Sequence, residues 1–133
     1  MIYLLDTNVI TDLIEGNQTV RQQLLQHKQQ EHTLGLCTPI YYEVQRGLLA
    51  ANLVRKQEVF AQAVLPRLTL FGLADSDWFQ AIQFWADARR RGRQLSDIDV
   101  LLATIAHRLQ AVIVSSDADF DALPVKRENW REA

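Results

Sequence analysis

The stretch Ile2-Tyr3-Leu4-Leu5-Asp6-Thr7-Asn8-Val9-Ile10 decides how the rest of this chain is read. Residues 2–5 form an uninterrupted apolar run, as expected of a short strand buried on both faces of a parallel sheet. An acid follows at once, and then Val9, Ile10, Leu13 and Ile14 recur at helical spacing. Strand, acid, helix is the order in which an α/β fold sets a carboxylate at the carboxyl edge of its sheet, where such folds take their ligands. Taken alone, Asp6 is also a good helix cap. The two readings separate only if other acids reach the same edge.

Beyond this stretch, strand-like runs alternate with helical ones and no hairpin turn joins two strands, which predicts a parallel sheet flanked by helices. Gly16 and Asn17 break the first helix, and Thr19 with Gln22 has the spacing of a capping box opening a glutamine-rich surface helix to about Gln30. Residues 33–37 read as a second strand. Thr38 before Pro39 predicts a hydroxyl cap and a proline at the first helical position, with Ile40, Tyr41, Val44 and Leu48 facing inward. A helix over 54–65 and a strand over 68–71 come next. A long helix over 75–92 carries Trp78, Phe79, Ile82, Phe84 and Trp85, expected to be mostly core, with some left over for a homodimer surface. Ser96 opens another helix, with Ile98, Leu101, Leu102, Ile105 and Leu109 as its stripe. A fourth strand over 111–114, a turn over 118–123 and a fifth strand from Val125 complete the pattern.

The length, 133 residues, suits a single domain over 1–133 with a true core. Apolar residues make up 48% and charged residues 23%, so the composition is that of an ordinary soluble protein. Cys37 is the one cysteine, which rules out an internal disulfide. Asp6 interrupts the N-terminal apolar run too early for a signal peptide, and no run approaches a membrane span, so a cytoplasmic location is expected. A net charge of −2 does not suggest a protein that coats nucleic acid through bulk charge, and it leaves room for a nuclease whose acidic metal site lowers the total.

Other acids do stand where strands hand over to helices. Glu43 lies too far into its helix to cap it, and is either paired with Arg46 or aimed into a pocket; Gly47, one turn on, would let a neighbour approach. Asp97 and Asp99 open the helix before the fourth strand, and Asp117 and Asp119 follow that strand. Ser96 with Asp99, and Ser116 with Asp119, also match capping spacings, so each acid has a local excuse. Together they would repel one another unless a cation sat among them. His27, His32 and His107 show no paired zinc spacing, and carboxylates alone suit Mg²⁺ or Mn²⁺. Such an ion acidifies water and stabilises charge on a phosphoryl group, which points to phosphodiester hydrolysis.

Four motifs carry a resemblance across nearly the whole chain: Leu4-Leu5-Asp6-Thr7-Asn8-Val9-Ile10, Tyr41-Tyr42-Glu43-Val44-Gln45-Arg46-Gly47, Asp99-Val100-Leu101-Leu102-Ala103-Thr104-Ile105-Ala106, and Val114-Ser115-Ser116-Asp117-Ala118-Asp119-Phe120. In order and interval they resemble those of PIN domains, and more narrowly the VapC-type ribonuclease toxins of bacterial toxin–antitoxin pairs. The resemblance implies a three-layer PIN-like α/β fold with a five-stranded parallel sheet whose first and fourth strands are neighbours. Asp6 and Asp117 would then face each other. It implies a Mg²⁺-dependent endoribonuclease in which Asp6, Glu43, Asp99 and Asp117 are catalytic. Asp6, Asp99 and Asp117 would lead the metal ligands, with Glu43, Asp119 and Asp97 behind them. Asp99 rather than Asp97 matches the motif. Ser115 would orient an acid or a water, while Thr7 and Asn8 would take over helix capping and free Asp6 for the cation. A cognate antitoxin is implied as partner, blocking the acidic pocket.

For the RNA backbone, the cluster Arg89, Arg90, Arg91 and Arg93 offers a phosphate-binding rim, with Arg90 and Arg93 as its candidates, or else a solvated helix end. A structure-specific DNA nuclease would use the same acids, and a non-catalytic PIN-like interaction module would keep the fold without the metal. A nucleotide-binding protein is disfavoured, since no phosphate loop occurs among the five glycines.

Overall fold

In a computed structural model describing residues 1–132, the opening run forms β1 (Ile2–Leu5), with Leu4 and Leu5 fully buried. Then come α1 (Thr7–Ile14), α2 (Gln18–Gln29), β2 (Thr33–Cys37), α3 (Thr38–Ala50), α4 (Val54–Val59) and β3 (Thr69–Phe71). The second half holds α5 (Asp77–Arg90), α6 (Asp97–Leu109), β4 (Val112–Val114) and β5 (Lys126–Glu128). A π-helical turn, Phe60–Val64, continues α4, and 3-10 turns occupy Ala118–Ala122 and Trp130–Glu132. This is the expected α/β, PIN-like architecture.

The five strands lie in the order β3-β2-β1-β4-β5, all parallel. The chain starts in the middle of its sheet, winds outward to β3, then crosses back to lay β4 against the other side of β1. Leu5 pairs with Val114, and the Asp6 amide donates to the Val114 carbonyl at 3.0 Å. The winding direction therefore reverses between β1 and β4, and their carboxyl ends border the crevice that such reversals create. β1, β2 and β4 are buried because helices cover them, whereas β3 and β5 lie at the edges and are partly exposed. No helix among the described residues is long and apolar enough to cross a membrane.

Local details depart from the sequence expectations. Asn17, not Thr19, caps α2, its side chain accepting from the Val20 amide at 3.0 Å. Thr38 is already helical, with Cys37 before it and no side-chain cap. Tyr41 is turned outward, and the buried face of α6 is Val100, Leu102, Ala103, Thr104, Ile105 and Ala106, leaving Ile98, Leu101 and Leu109 only partly covered. Gly47 faces open space; the close approach occurs instead at Gly35, where an added Cβ would meet Leu4 at 2.6 Å and Phe71 at 2.7 Å.

The largest departure is α5. Of its aromatic residues only Phe84 is buried, while Trp78, Phe79, Ile82 and Trp85 are 53%, 74%, 65% and 42% exposed. The face that packs on α6 is made of Ala81, Phe84 and Ala88 together with Asp77. The reason is Asp77: its carboxylate takes both arms of Arg108 at 2.9 and 3.1 Å and the Ala74 amide at 2.7 Å. This buried ion pair to the last turn of α6 fixes the rotation of α5, and the aromatics take the face that remains.

Candidate functional site

Asp6 ends β1 and opens α1. Its backbone is extended (φ −76°, ψ 165°), and its carbonyl accepts the Val9 and Ile10 amides at 3.1 Å each. One carboxylate oxygen accepts the Thr7 amide at 2.8 Å; the other accepts the Ser115 hydroxyl at 2.7 Å and the Asn8 amide nitrogen at 3.2 Å. Asp6 is thus the helix cap itself, and the expected handover of capping to Thr7 and Asn8 does not occur. Thr7 donates its hydroxyl to Glu43 instead, and Asn8 bonds Ser115 at 3.1 Å and accepts the Ser116 amide at 3.3 Å. Capping consumes only part of the carboxylate's acceptor capacity, because ionised Asp offers about four lone-pair sites.

Ser115 is fully buried at the end of β4, with its hydroxyl at the centre of the network. While donating to Asp6 it accepts the Asp117 amide at 3.0 Å, so a single oxygen links the loops leaving β1 and β4. Asp117 caps the following 3-10 turn by accepting the Asp119 amide at 2.9 Å. The spacing of Ser116 and Asp119 therefore does not mark a cap; the Ser116 hydroxyl instead accepts from Arg131 at 3.3 Å.

Asp99 sits in the first turn of α6, its amide donating to the Ser96 hydroxyl at 3.1 Å. Its carboxyl is pushed up to about 6, first by burial and then by the charge of Asp6, with Asp117 and Glu43 adding to the rise and the Ser96 hydroxyl opposing it. Asp6 is also raised, by burial first, against the pull of Ser115 and Thr7, with Glu43 and Asp117 adding repulsion. Asp6, Glu43, Asp99 and Asp117, drawn from four different elements, thus share one electrostatic neighbourhood at the carboxyl edge of β1 and β4. Asp97 lies elsewhere, lining the groove between α5 and α6 with Trp78, Ile82 and Leu101. Asp119 is turned to Arg93 at 2.9 Å.

Among the described residues, no three acidic, histidine or cysteine side chains form a ready-made metal-holding group. The donor set nevertheless fits a hard cation that keeps part of its water: every donor is oxygen, and burial first, then repulsion among the acids, raises the Asp99 and Asp6 carboxyls where a cation would favour their charged forms. Histidine takes no part. His27 and His32 bond each other through Nδ1 at 3.0 Å beside Tyr3 and Trp130, and His107 packs edge-on against Phe84.

The arginine cluster is mostly committed. Arg90 pairs with Asp87 on its own helix at 2.8 Å, Arg91 bonds the Ala122 carbonyl at 2.7 Å, and Arg89 lies over the Trp85 ring. Two supports escaped the sequence reading. Arg131 grips the buried Asp12 of α1 at 2.7 and 3.0 Å, and Arg127 bonds the Ser115 carbonyl at 3.1 Å while pairing with Asp121. Asp12 and Arg131 lie 119 positions apart, and no local pattern signals such a pair.

The PIN domain family model matches residues 3–126. Among solved structures, VapBC2 from Rickettsia felis bound to a promoter DNA fragment is similar at TM-score 0.84 and 22% identity, covering 98% of this chain and 99% of that one. FitAcB from Neisseria gonorrhoeae aligns at TM-score 0.83 and 22% identity over 100% of both chains. DNA-bound VapBC from Salmonella typhimurium gives 0.83 at 19% identity, with 98% of each chain covered. No curated protein matches the sequence significantly. At these identities the structural likeness speaks for the fold.

Proposed function

The chain belongs to the PIN domain family, and from that premise we propose that it is a Mg²⁺- or Mn²⁺-dependent endoribonuclease, the VapC-type toxin of a toxin–antitoxin pair acting in the cytoplasm. The observation that carries this reading is the gathering of Asp6, Glu43, Asp99 and Asp117 at the β1–β4 crevice with the Asp99 carboxyl raised to about 6. Asp6, Asp99 and Asp117 are the metal ligands, with Glu43 at the margin and Asp97 and Asp119 outside the set. Bound there, the ion would supply Lewis acidity toward a phosphoryl oxygen and lower the pKa of a water.

The chain's own part is to hold the carboxylates in place. Ser115 and the Thr7 amide keep Asp6 fixed and favour its charged form, and the Thr7 hydroxyl anchors Glu43. The test is cleavage of RNA, beside DNA of the same sequence, by the wild type, Asp6→Asn and Asp99→Asn, with Mg²⁺ present or chelated. Metal-dependent RNA cleavage lost in both variants is expected. Equal cleavage without metal, or cleavage of DNA alone, overturns the reading. Calorimetric titration showing no Mn²⁺ binding would leave a non-catalytic module.

Two surface features support protein partners in this reading. Beside Glu43, a groove of about 230 Å³ between α1, α3 and α4 is lined by Ile14, Val44, Leu48 and Leu53, with Thr7, Thr11 and the Glu15–Lys56 ion pair also on its walls. An antitoxin segment would lie there with apolar side chains on Ile14, Val44, Leu48 and Leu53 and an arginine toward Glu43. The exposed stripe on α5 suits a second copy of this chain. It reads Trp78 and Phe79, Ile82, Trp85 and the half-buried Ala86, then Arg89, with Asp75 in the turn just before the helix, so that Ile82 is the midpoint and opposite charges stand seven residues to either side in sequence. Two such helices crossing antiparallel at Ile82 place each Asp75 on the other's Arg89, the self-complementarity that a two-fold interface requires.

A further inference from the structure

Most of the arginines that form ion pairs are held by short contacts to residues outside the four acids. Arg90, Arg93, Arg108, Arg127 and Arg131 bind Asp87, Asp119, Asp77, Asp121 and Asp12 at 2.7–2.9 Å. Arg46 differs in three ways. Its acid is Glu43, one of the four; the contact is long, 3.7 Å; and the guanidinium carbon lies 4.8 Å from the centre of the Tyr42 ring. Tyr42 is 57% exposed and the Arg46 side chain 52%, although both are among the larger side chains of α3.

The geometry follows from helical spacing. Tyr42 and Arg46 are four apart and Glu43 and Arg46 three apart, so ring, carboxylate and guanidinium share one rim of α3. Stacking on an aromatic face holds the guanidinium plane without using any of its N–H donors. The long, half-exposed contact to Glu43 is weak, and Glu43 keeps its bond from Thr7 if Arg46 turns away. The result is a planar cation with free donors, held beside Glu43 on one face of a ring that stays 57% exposed. A planar cation of this kind binds phosphate, and an aromatic face binds a base that is not already stacked in a duplex.

We propose that Tyr42 and Arg46 form a nucleotide subsite on the lip of the acidic crevice, Arg46 holding a backbone phosphate beside the cleaved bond and Tyr42 stacking its unpaired base. The substrate held there is single-stranded RNA. The proposal rests on the nuclease reading above, and it moves the phosphate contact from Arg90 and Arg93, which are paired elsewhere, to α3.

The experiment measures fluorescence anisotropy of a short labelled oligoribonucleotide, single-stranded or annealed to its complement, binding to Asp99→Asn protein. It is repeated with Tyr42→Ala, Tyr42→Phe, Arg46→Ala, Arg46→Lys and Arg90→Ala added, alongside cleavage kinetics of the single variants. Loss of one phosphate contact should lower the slope of log affinity against log salt by about one in Arg46→Ala. Tyr42→Ala should weaken single-strand binding about 10-fold, the scale of one stacked base, with no change for the duplex. Tyr42→Phe and Arg90→Ala should behave as the parent, and in cleavage the α3 variants should raise KM more than they lower kcat. Unchanged affinity and salt slope in both alanine variants, while the wild type still cleaves RNA, overturn the subsite and leave the nuclease standing. A wild type that binds RNA with these dependences but cleaves none overturns the nuclease alone.

Discussion

The Ser115 hydroxyl donates to the Asp6 carboxylate at 2.7 Å, joining the ends of the two strands between which the chain reverses its winding. Both residues are buried, and among the described residues no buried side-chain nitrogen or oxygen lacks a partner. Replacing Ser115 by alanine leaves Asp6 one donor short in a low-dielectric setting. We expect a loss of about 1–3 kcal/mol in urea-denaturation stability, the cost of an under-satisfied buried group. The Asp6 carboxyl should rise further, and cleavage should fall by about 10-fold, since each 1.4 kcal/mol is a factor of ten. Denaturation curves of wild type and variant, set beside their cleavage rates, check this.

Asp99 should give opposite signs for stability and activity. Folding raises its carboxyl from 3.8 to about 6, so the folded state prefers the protonated form. That contribution is present below the unfolded value and is lost as pH rises through about 6, leaving a charge at neutral pH that opposes folding. Asp99→Asn should therefore stabilise the metal-free protein at pH 7, by about 1–2 kcal/mol once solvent screening of this partly open group is allowed for. The gain should vanish near pH 4. Cleavage should fall about 100-fold or more, and in the wild type metal affinity should drop as pH falls through about 6, because the cation needs the carboxylate. Thermal melts from pH 4 to 8 and Mn²⁺ titrations measure both halves.

The α5 stripe makes a charge-reversal prediction. If two copies cross at Ile82, Asp75→Arg sets like charges together and Arg89→Asp does the same, so each should shift sedimentation equilibrium toward monomer. The double variant restores both pairs and should restore the dimer. Asp75 and Arg89 are both exposed and have no ionic partner among the described residues, so within the folded monomer the reversals remove only the Arg89 contact with the Trp85 ring. A double variant as monomeric as the singles would exclude this antiparallel arrangement.

Gly35 separates the roles of two glycines. A methyl group there would sit 2.6 Å from Leu4 and 2.7 Å from Phe71, in the middle of the sheet, whereas at Gly47 it would meet nothing within 4 Å. Gly35→Ala should cost about 1–3 kcal/mol through overpacking. Gly47→Ala should instead stabilise α3 by up to about 1 kcal/mol, from helix propensity alone. Thermal melts of the two variants compare them directly.

The outline of this fold was legible in the sequence because its signals are local. The run Ile2–Leu5 reads as a buried strand, Pro39 and Ser96 mark helix starts, and the alternation of strand and helix implies a parallel sheet. The four acids could be nominated for the same reason, each standing where a strand meets a helix or within the first turns of one. Helix faces were less legible. On α5, periodicity places Trp78, Ile82 and Trp85 on one stripe but does not say which stripe is buried, and the residue that decides it, Asp77, finds its arginine on α6.

What the sequence alone determined, then, is the set of elements, their order and the residue types at the ends of β1 and β4, since these rest on hydrophobic period and turn chemistry within a few residues. Only the tertiary structure decided how those residues are used. Asp6 both caps α1 and faces the other acids because Ser115, 109 positions away, arrives to hold its second oxygen. Arg93 is bound to Asp119 and Arg46 lies against Glu43 because side-chain pairing follows distance in space. Coulomb forces and hydrogen bonds act over a few ångströms, and which groups come that close is set by the packing of the whole sheet.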